Sequence, residues 1–156
     1  MEELSGTISD NFGYTGTSAS ILSGRPYGGV ALLYRKNAFS KVSVIECNNV
    51  RICGLKLTVS DSKSIVILCI YMPTNSNDNF VDFNDCLSAM HSIVEVEENS
   101  GVEAFYMLGD FNAHPNELFY NEMLSFCEDQ IWICIDTNLC ANNTYTFHSD
   151  AHGCNK

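Results

Sequence analysis

The sequence predicts a mixed α and β fold built on a single domain of 156 residues, long enough to bury a core. Three observations predict it. The first half holds short apolar runs separated by Lys/Asn or Asp/Ser turns. One later stretch repeats its apolar residues at steps of three and four. A further apolar run then ends in Gly-Asp-x-Asn.

The runs Gly29 to Arg35, Lys41 to Cys47, Val50 to Val59 and Ser64 to Tyr71 read as strands. Their short connections predict an antiparallel meander of four, with Asp61-Ser62-Lys63 at a hairpin tip. Phe80, Phe83, Leu87, Met90 and Val94 then predict an amphipathic helix over 79–98. Asp78 or Asn79 would cap it, and Ser100-Gly101 would end it. His91 lies beside the apolar stripe and reads as a histidine of the helix surface or boundary. A strand over Glu103 to Leu108 follows, then a helix over Asn116 to Glu128 and a strand over Ile131 to Ile135. The chain shows no repeat, low-complexity tract or linker.

Composition excludes several classes. The chain is 46% hydrophobic and 17% charged, so no window reads as disordered. No apolar stretch is long enough to span a bilayer. Met1-Glu2-Glu3-Leu4 lacks the basic-then-apolar order of a signal peptide, so an intracellular place, cytoplasmic or nuclear, is expected. Eight cysteines without such a signal read as thiols rather than disulfides. Cys53, Cys69 and Cys134 sit in apolar runs, as buried small hydrophobes do. Cys140, His148, His152 and Cys154 crowd the C-terminus, but their spacing fits no standard zinc finger.

The segment Leu108 to Pro115 carries the chemistry. Asp110 and Asn112 stand two residues apart just past a strand end, so extended geometry continued through them would point both side chains to one side. A carboxylate and an amide at the lip of a sheet suit a hard cation and a phosphate oxygen.

Four segments occur in a fixed order: Gly24 to Tyr34 (GRPYGGVALLY), Ser64 to Thr74 ending in Tyr-x-Pro, the Gly-Asp-Phe-Asn-Ala-His run, and Thr144 to Ser149 (TYTFHS). Together they resemble the endonuclease/exonuclease/phosphatase superfamily, and most of all the apurinic-type endonuclease domain of non-LTR retrotransposons. The resemblance runs from about Leu4 to Lys156. It implies a DNase I-like fold, two packed β-sheets with helices outside. It implies hydrolysis of phosphodiesters in DNA with Mg²⁺ or Mn²⁺. In that light Asp110 resembles the aspartate that activates or orients the attacking water. Asn112 resembles the partner that holds the phosphate or a metal-bound water, and Tyr71 the strand-end tyrosine that reaches the scissile phosphate. Asp110 would also be the one metal ligand present. His114 reads as a supporting or structural residue. Arg25, Thr146 and Ser149 match places where substrate is touched, and His148 belongs to the same variable loop.

The match has gaps at both ends. Relatives open with two strands, the second carrying a metal-binding glutamate; Glu2 and Glu3 follow no strand. Relatives close with an adjacent Asp-His pair, whereas Asp150 and His152 are separated by Ala151 and are not assigned that role. A truncated or degenerate copy is therefore expected, with weak metal binding and little hydrolysis. The formal net charge of -11 points the same way, because phosphate neutralisation supplies most affinity for nucleic acid. Arg25, Arg35, Lys36 and Lys41 form the only loose basic cluster. Two other readings stay open: a phosphatase or lipid phosphodiesterase of the same superfamily, and a non-catalytic binding or remnant domain.

Overall fold

The computed structural model describes residues 10–18, 20–22, 25–27, 29–60, 63–135, 148–149 and 154–155. These residues form β1 (Phe12–Gly16), β2 (Ser20–Leu22), β3 (Arg25–Tyr27), β4 (Ala31–Arg35), β5 (Lys41–Ile45), β6 (Ile52–Ser60), β7 (Lys63–Tyr71), α1 (Phe80–Glu98), β8 (Ala104–Asp110), α2 (Leu118–Asp129), β9 (His148–Ser149) and β10 (Cys154–Asn155). They belong to two compact units. The first is Met1–Thr74 with Asp78–Asn112; the second is Asn75–Asn77 with Ala113–Lys156.

The first unit is built on a four-stranded sheet in the order β5-β6-β7-β8. β5, β6 and β7 pair antiparallel, while β8 joins β7 in parallel. A parallel neighbour needs a crossover, and α1 supplies it. β6 is central, and its Ile52, Cys53, Leu55 and Leu57 are buried on both faces, as a covered strand requires. On one face Val66, Leu68 and Ile70 of β7 are buried beside Phe105 and Met107 of β8. Lys56, on the same face as Ile52, reaches Glu97 at 2.9 Å and also bonds Ser100, which places α1 over this face. Phe83, Cys86, Leu87, Met90 and Val94 give α1 its buried stripe. On the other face β1 and β4 pair with each other and lie against β6. The unit is thus two sheets with a helix outside.

Two expectations need correction here. The meander has three strands, not four, because β4 leaves it to pair with β1 in register Gly13↔Tyr34. Periodicity shows that a segment is a strand but not which neighbour it takes, and β1 was hidden because its Phe-Gly-Tyr-Thr-Gly composition carries two glycines. The expected strand over Ile131 to Ile135 is absent. The helix ends instead in a Schellman motif, with Ile131 N–H donating to the Glu128 carbonyl at 3.1 Å and Trp132 N–H to the Cys127 carbonyl at 2.8 Å. Ile131 is left-handed at φ 58, and Trp132 packs edge-on against Phe126 at 5.4 Å. The apolar run does not form a strand because the helix end uses it to close its own carbonyls, leaving Ile131 92% exposed.

Smaller differences concern caps. Asn79 occupies the N-cap position of α1 but makes no side-chain cap; its amide donates to the Thr74 carbonyl at 2.8 Å. α2 starts at Leu118 rather than Asn116, which is left-handed at φ 71. In the second unit the remote Asn75 Oδ1 accepts from Phe119 N–H at 3.3 Å, standing in for a local cap. His91 is exposed on α1. The tip residues Asp61 and Ser62 lie outside the described residues; Ser60 and Lys63 flank them as a pair. No helix among the described residues is long and apolar enough to cross a membrane.

Cys47, Cys53, Cys69, Cys86, Cys127 and Cys134 form no disulfide. Cys53 is buried as expected, whereas Cys69 and Cys134 are half-buried. Cys53 faces Cys69 across the β6–β7 ladder. Burial, with the neighbouring Cys69 and Cys47, pushes the Cys53 thiol up to about 12.

Two outcomes are expected. Ile131→Gly removes left-handed strain from a β-branched residue and should raise unfolding free energy by about 1 kcal/mol in urea titration. A neutral or negative effect would refute the strain. Because only the thiolate reacts, Cys53 should be the last of the six described thiols alkylated by iodoacetamide at pH 8. Early labelling of Cys53 would show the site to be open.

Candidate functional site

Strand register builds the site. β7 and β8 run in parallel and finish level, with Tyr71 opposite Asp110. Met72 N–H donates to the Asp110 carbonyl at 2.8 Å, carrying the ladder one step beyond the strand. On the other side Tyr71 N–H donates to the Arg51 carbonyl at 2.9 Å. Arg51, Tyr71 and Asp110 therefore stand in a row across three adjacent strand ends.

Gly109 makes the last step of that row feasible. Its φ is +142, and a Cβ there would lie 1.8 Å from the Ile70 carbonyl oxygen. No side chain fits against that backbone. After Asp110 the chain stops being extended: Asn112 is left-handed at φ 48. Its N–H donates to Asp110 Oδ1 at 3.1 Å, an Asx-turn, and its Nδ2 donates to the Met72 carbonyl at 2.9 Å. The condition of continued extension through Asn112 is not met, since asparagine tolerates the left-handed conformation and its amide satisfies a strand-end carbonyl.

The turn still leaves chemistry at the edge. Asp110 is exposed, Tyr71 and Asn112 are half-buried. Asp110 Oδ2 and Asn112 Oδ1 accept no hydrogen bond among the described residues. One N–H of the Asn112 amide is also left over, because Nδ2 carries two. Acceptor, donor and phenol thus meet at one strand edge.

Arg51 was missed by sequence reasoning. Its Nη1 donates to the Tyr71 carbonyl at 3.3 Å, and its guanidinium carbon lies 5.7 Å from the Tyr71 ring centroid. The only signal was a cation at the head of a strand run; its place beside Tyr71 follows from antiparallel register, which the sequence does not give.

The other expected residues are not brought to this edge by anything described. Arg25 lies in β3 opposite Leu22, and Ser149 in β9 opposite Cys154; their side chains are outside the described residues. Thr146, Asp150, His152, Glu2 and Glu3 are outside them altogether. His114 belongs to the second unit, half-buried, with its carbonyl accepting from Glu117 N–H at 3.0 Å.

Among the described residues, no group of three His, Cys, Asp or Glu side chains could hold a metal. Asp110 brings one carboxylate to the strand edge. Mg²⁺ demands near-octahedral oxygen ligation, so these residues alone do not fit it beyond one ligand.

Comparison with solved structures finds a likeness to an endonuclease/exonuclease/phosphatase family protein from Leptotrichia buccalis C-1013-b, with a TM-score of 0.51 at 18% identity. It covers 80% of this chain and 48% of that one, so the chain spans about half the length of the protein it matches. Protein-family models and curated proteins give no match. At this identity the likeness shows the fold, a DNase I-like arrangement of two sheets and helices.

The Gly109 contact has a measurable consequence. Gly109→Ala should destabilise the chain by about 3 kcal/mol or more, because backbone must move to admit the methyl. Gly101→Ala, at φ +80 but with nothing within 4 Å, should cost only about 1–2 kcal/mol. Equal costs in denaturant titration would rule out the close approach.

Proposed function

We propose that this chain is a phosphodiesterase domain of the endonuclease kind found in non-LTR retrotransposons, acting on DNA. The observation that carries this reading is the Tyr71–Asp110 pair at the common end of β7 and β8, with Asn112 folded beside it. Water attacks phosphorus, one P–O ester bond breaks, and a hydroxyl and a phosphate monoester result. Asp110 Oδ2 accepts one proton of the attacking water, and the leaving oxygen takes a proton from solvent to become the hydroxyl. The remaining Asn112 N–H and the Tyr71 hydroxyl donate to phosphate oxygens and hold them as charge develops. A divalent cation, Mg²⁺ or Mn²⁺, would supply Lewis-acid charge in this chemistry, with Asp110 as its one ligand here. Arg25, Thr146 and Ser149 are proposed to touch substrate flanks, and His114 to support the motif.

Activity of these 156 residues alone is proposed to be weak or nil. One motif carboxylate fixes a cation poorly, and sets of catalytic groups act non-additively. The net charge of -11 also opposes a polyanion. That charge favours, as a second reading, a smaller phosphoester such as a phosphatase or lipid phosphodiesterase substrate. The single carboxylate favours a third, a non-catalytic remnant or binding domain.

Calorimetry with Mg²⁺ and Mn²⁺ should show weak binding that Asp110→Ala removes. Tight binding that survives Asp110→Ala would point to ligands elsewhere. Supercoiled DNA should be nicked barely or not at all by this chain. A chimera that sets this chain's β7–β8 edge among the metal-glutamate strands and the Asp-His strand of a related nuclease should cleave, with a loss of about 10²-fold or more on Asp110→Ala or Asn112→Ala. A chimera whose cleavage ignores both substitutions would sink the assignment.

A further inference from the structure

The strand edge is braced from behind through Thr17 and Asn49. Val50 C=O accepts from Thr17 Oγ1 at 2.5 Å, and Arg51 N–H donates to Asn49 Oδ1 at 2.9 Å. The Asn49 amide in turn donates to Cys86 Sγ of α1 at 3.4 Å. Ile52 N–H donates to the Asn49 carbonyl at 3.1 Å. The loop ahead of β6 is thus tied to the β1–β4 side of the sheet and to the helix. From this fixed base Arg51 makes three contacts with Tyr71: carbonyl to N–H at 2.9 Å, Nη1 to carbonyl at 3.3 Å, and guanidinium over the ring at 5.7 Å.

We propose that Arg51 is a positioning residue, which holds the Tyr71 phenol in place beside Asp110 through this clamp on its backbone and ring. The proposal rests on the phosphodiesterase reading in one respect only, that the Tyr71 hydroxyl meets a phosphate. A half-buried phenol at a strand end can turn about two side-chain bonds. A misplacement of about 1 Å at such a group is enough to cost binding and rate. The planar guanidinium suits the task, since it stacks on an aromatic face while donating to the neighbouring carbonyl. A lysine ammonium keeps the charge but cannot do both. The fork donates to the Tyr71 carbonyl and covers the Tyr71 ring, so Arg51 acts through Tyr71.

The test uses the full chain with ¹³C-labelled tyrosine, inorganic phosphate as the probe, and the variants Arg51→Met, Arg51→Lys, Tyr71→Phe and the double variant. Tyr71→Phe assigns the Tyr71 ring signal and removes the hydroxyl while keeping the ring. Arg51→Met should move that signal in the free protein and weaken phosphate binding about three- to five-fold. In the Tyr71→Phe background the same substitution should change binding less than about two-fold, the mark of two groups acting as one. Arg51→Lys should recover only part of the loss, and it carries the same readings if Arg51→Met does not fold. An unmoved Tyr71 signal would overturn the proposal. So would losses that multiply in the double variant, which would mean that Arg51 grips phosphate itself. If the wild-type chain binds no phosphate, the functional reading fails, and the ring signal alone then decides the role of Arg51.

Discussion

The contact between Gly109 and the Ile70 carbonyl is the constraint on which the rest depends. It lets β8 run flush with β7 to their common end, and so sets Asp110 level with Tyr71. A side chain at this point would push the strands apart where Tyr71 and Asp110 stand level. The sheet beneath is ordinary in composition: β-branched and aliphatic residues, buried on the α1 side and covered over β6 by the β1–β4 pair. Its energetic weight comes from that burial. Its accuracy at the edge comes from a missing Cβ.

The Asp-x-Asn motif serves the backbone first. Asp110 accepts its own turn, and Asn112 ties that turn to the end of β7. Each side chain spends one atom on folding and keeps another for solvent or ligand. A turn and a ligand-holding pair would use the same residues here, so the two look alike in sequence. Their separation requires knowing what lies on the adjacent strand, and here that is Tyr71 with Arg51 behind it.

Much of the fold was legible. β5, β6, β7, β8 and α1 were visible because alternation and the three-four step of Phe83, Leu87, Met90 and Val94 are strong local signals. The strand partners were not legible, because pairing is set by packing between distant segments; β4 looked like part of the meander and pairs with β1 instead. Local geometry at helix ends was hidden too, since Ile131 has no residue-type mark of the left-handed conformation it adopts. At the site, Asp110, Asn112 and Tyr71 were legible as strand-exit residues. Arg51 was not, because its role exists only once β6 and β7 are laid antiparallel.

The parallel pairing of β7 with β8 also orders events during folding. The β6–β7 hairpin joins residues close in sequence and can form early, whereas β8 reaches β7 only after the whole of α1 has been traversed. Closing that long loop carries an entropic cost that must be met before the contacts form. Tyr71 therefore has its arginine before it has its aspartate. In a chain that opens locally at the β8 edge, where Tyr106 and Leu108 are about half exposed, Asp110 parts from Tyr71. Such a molecule would keep most of its hydrogen-bonded sheet and lose the alignment of Tyr71 with Asp110, so a spectroscopic signal for β structure overstates how much of the population holds the two level.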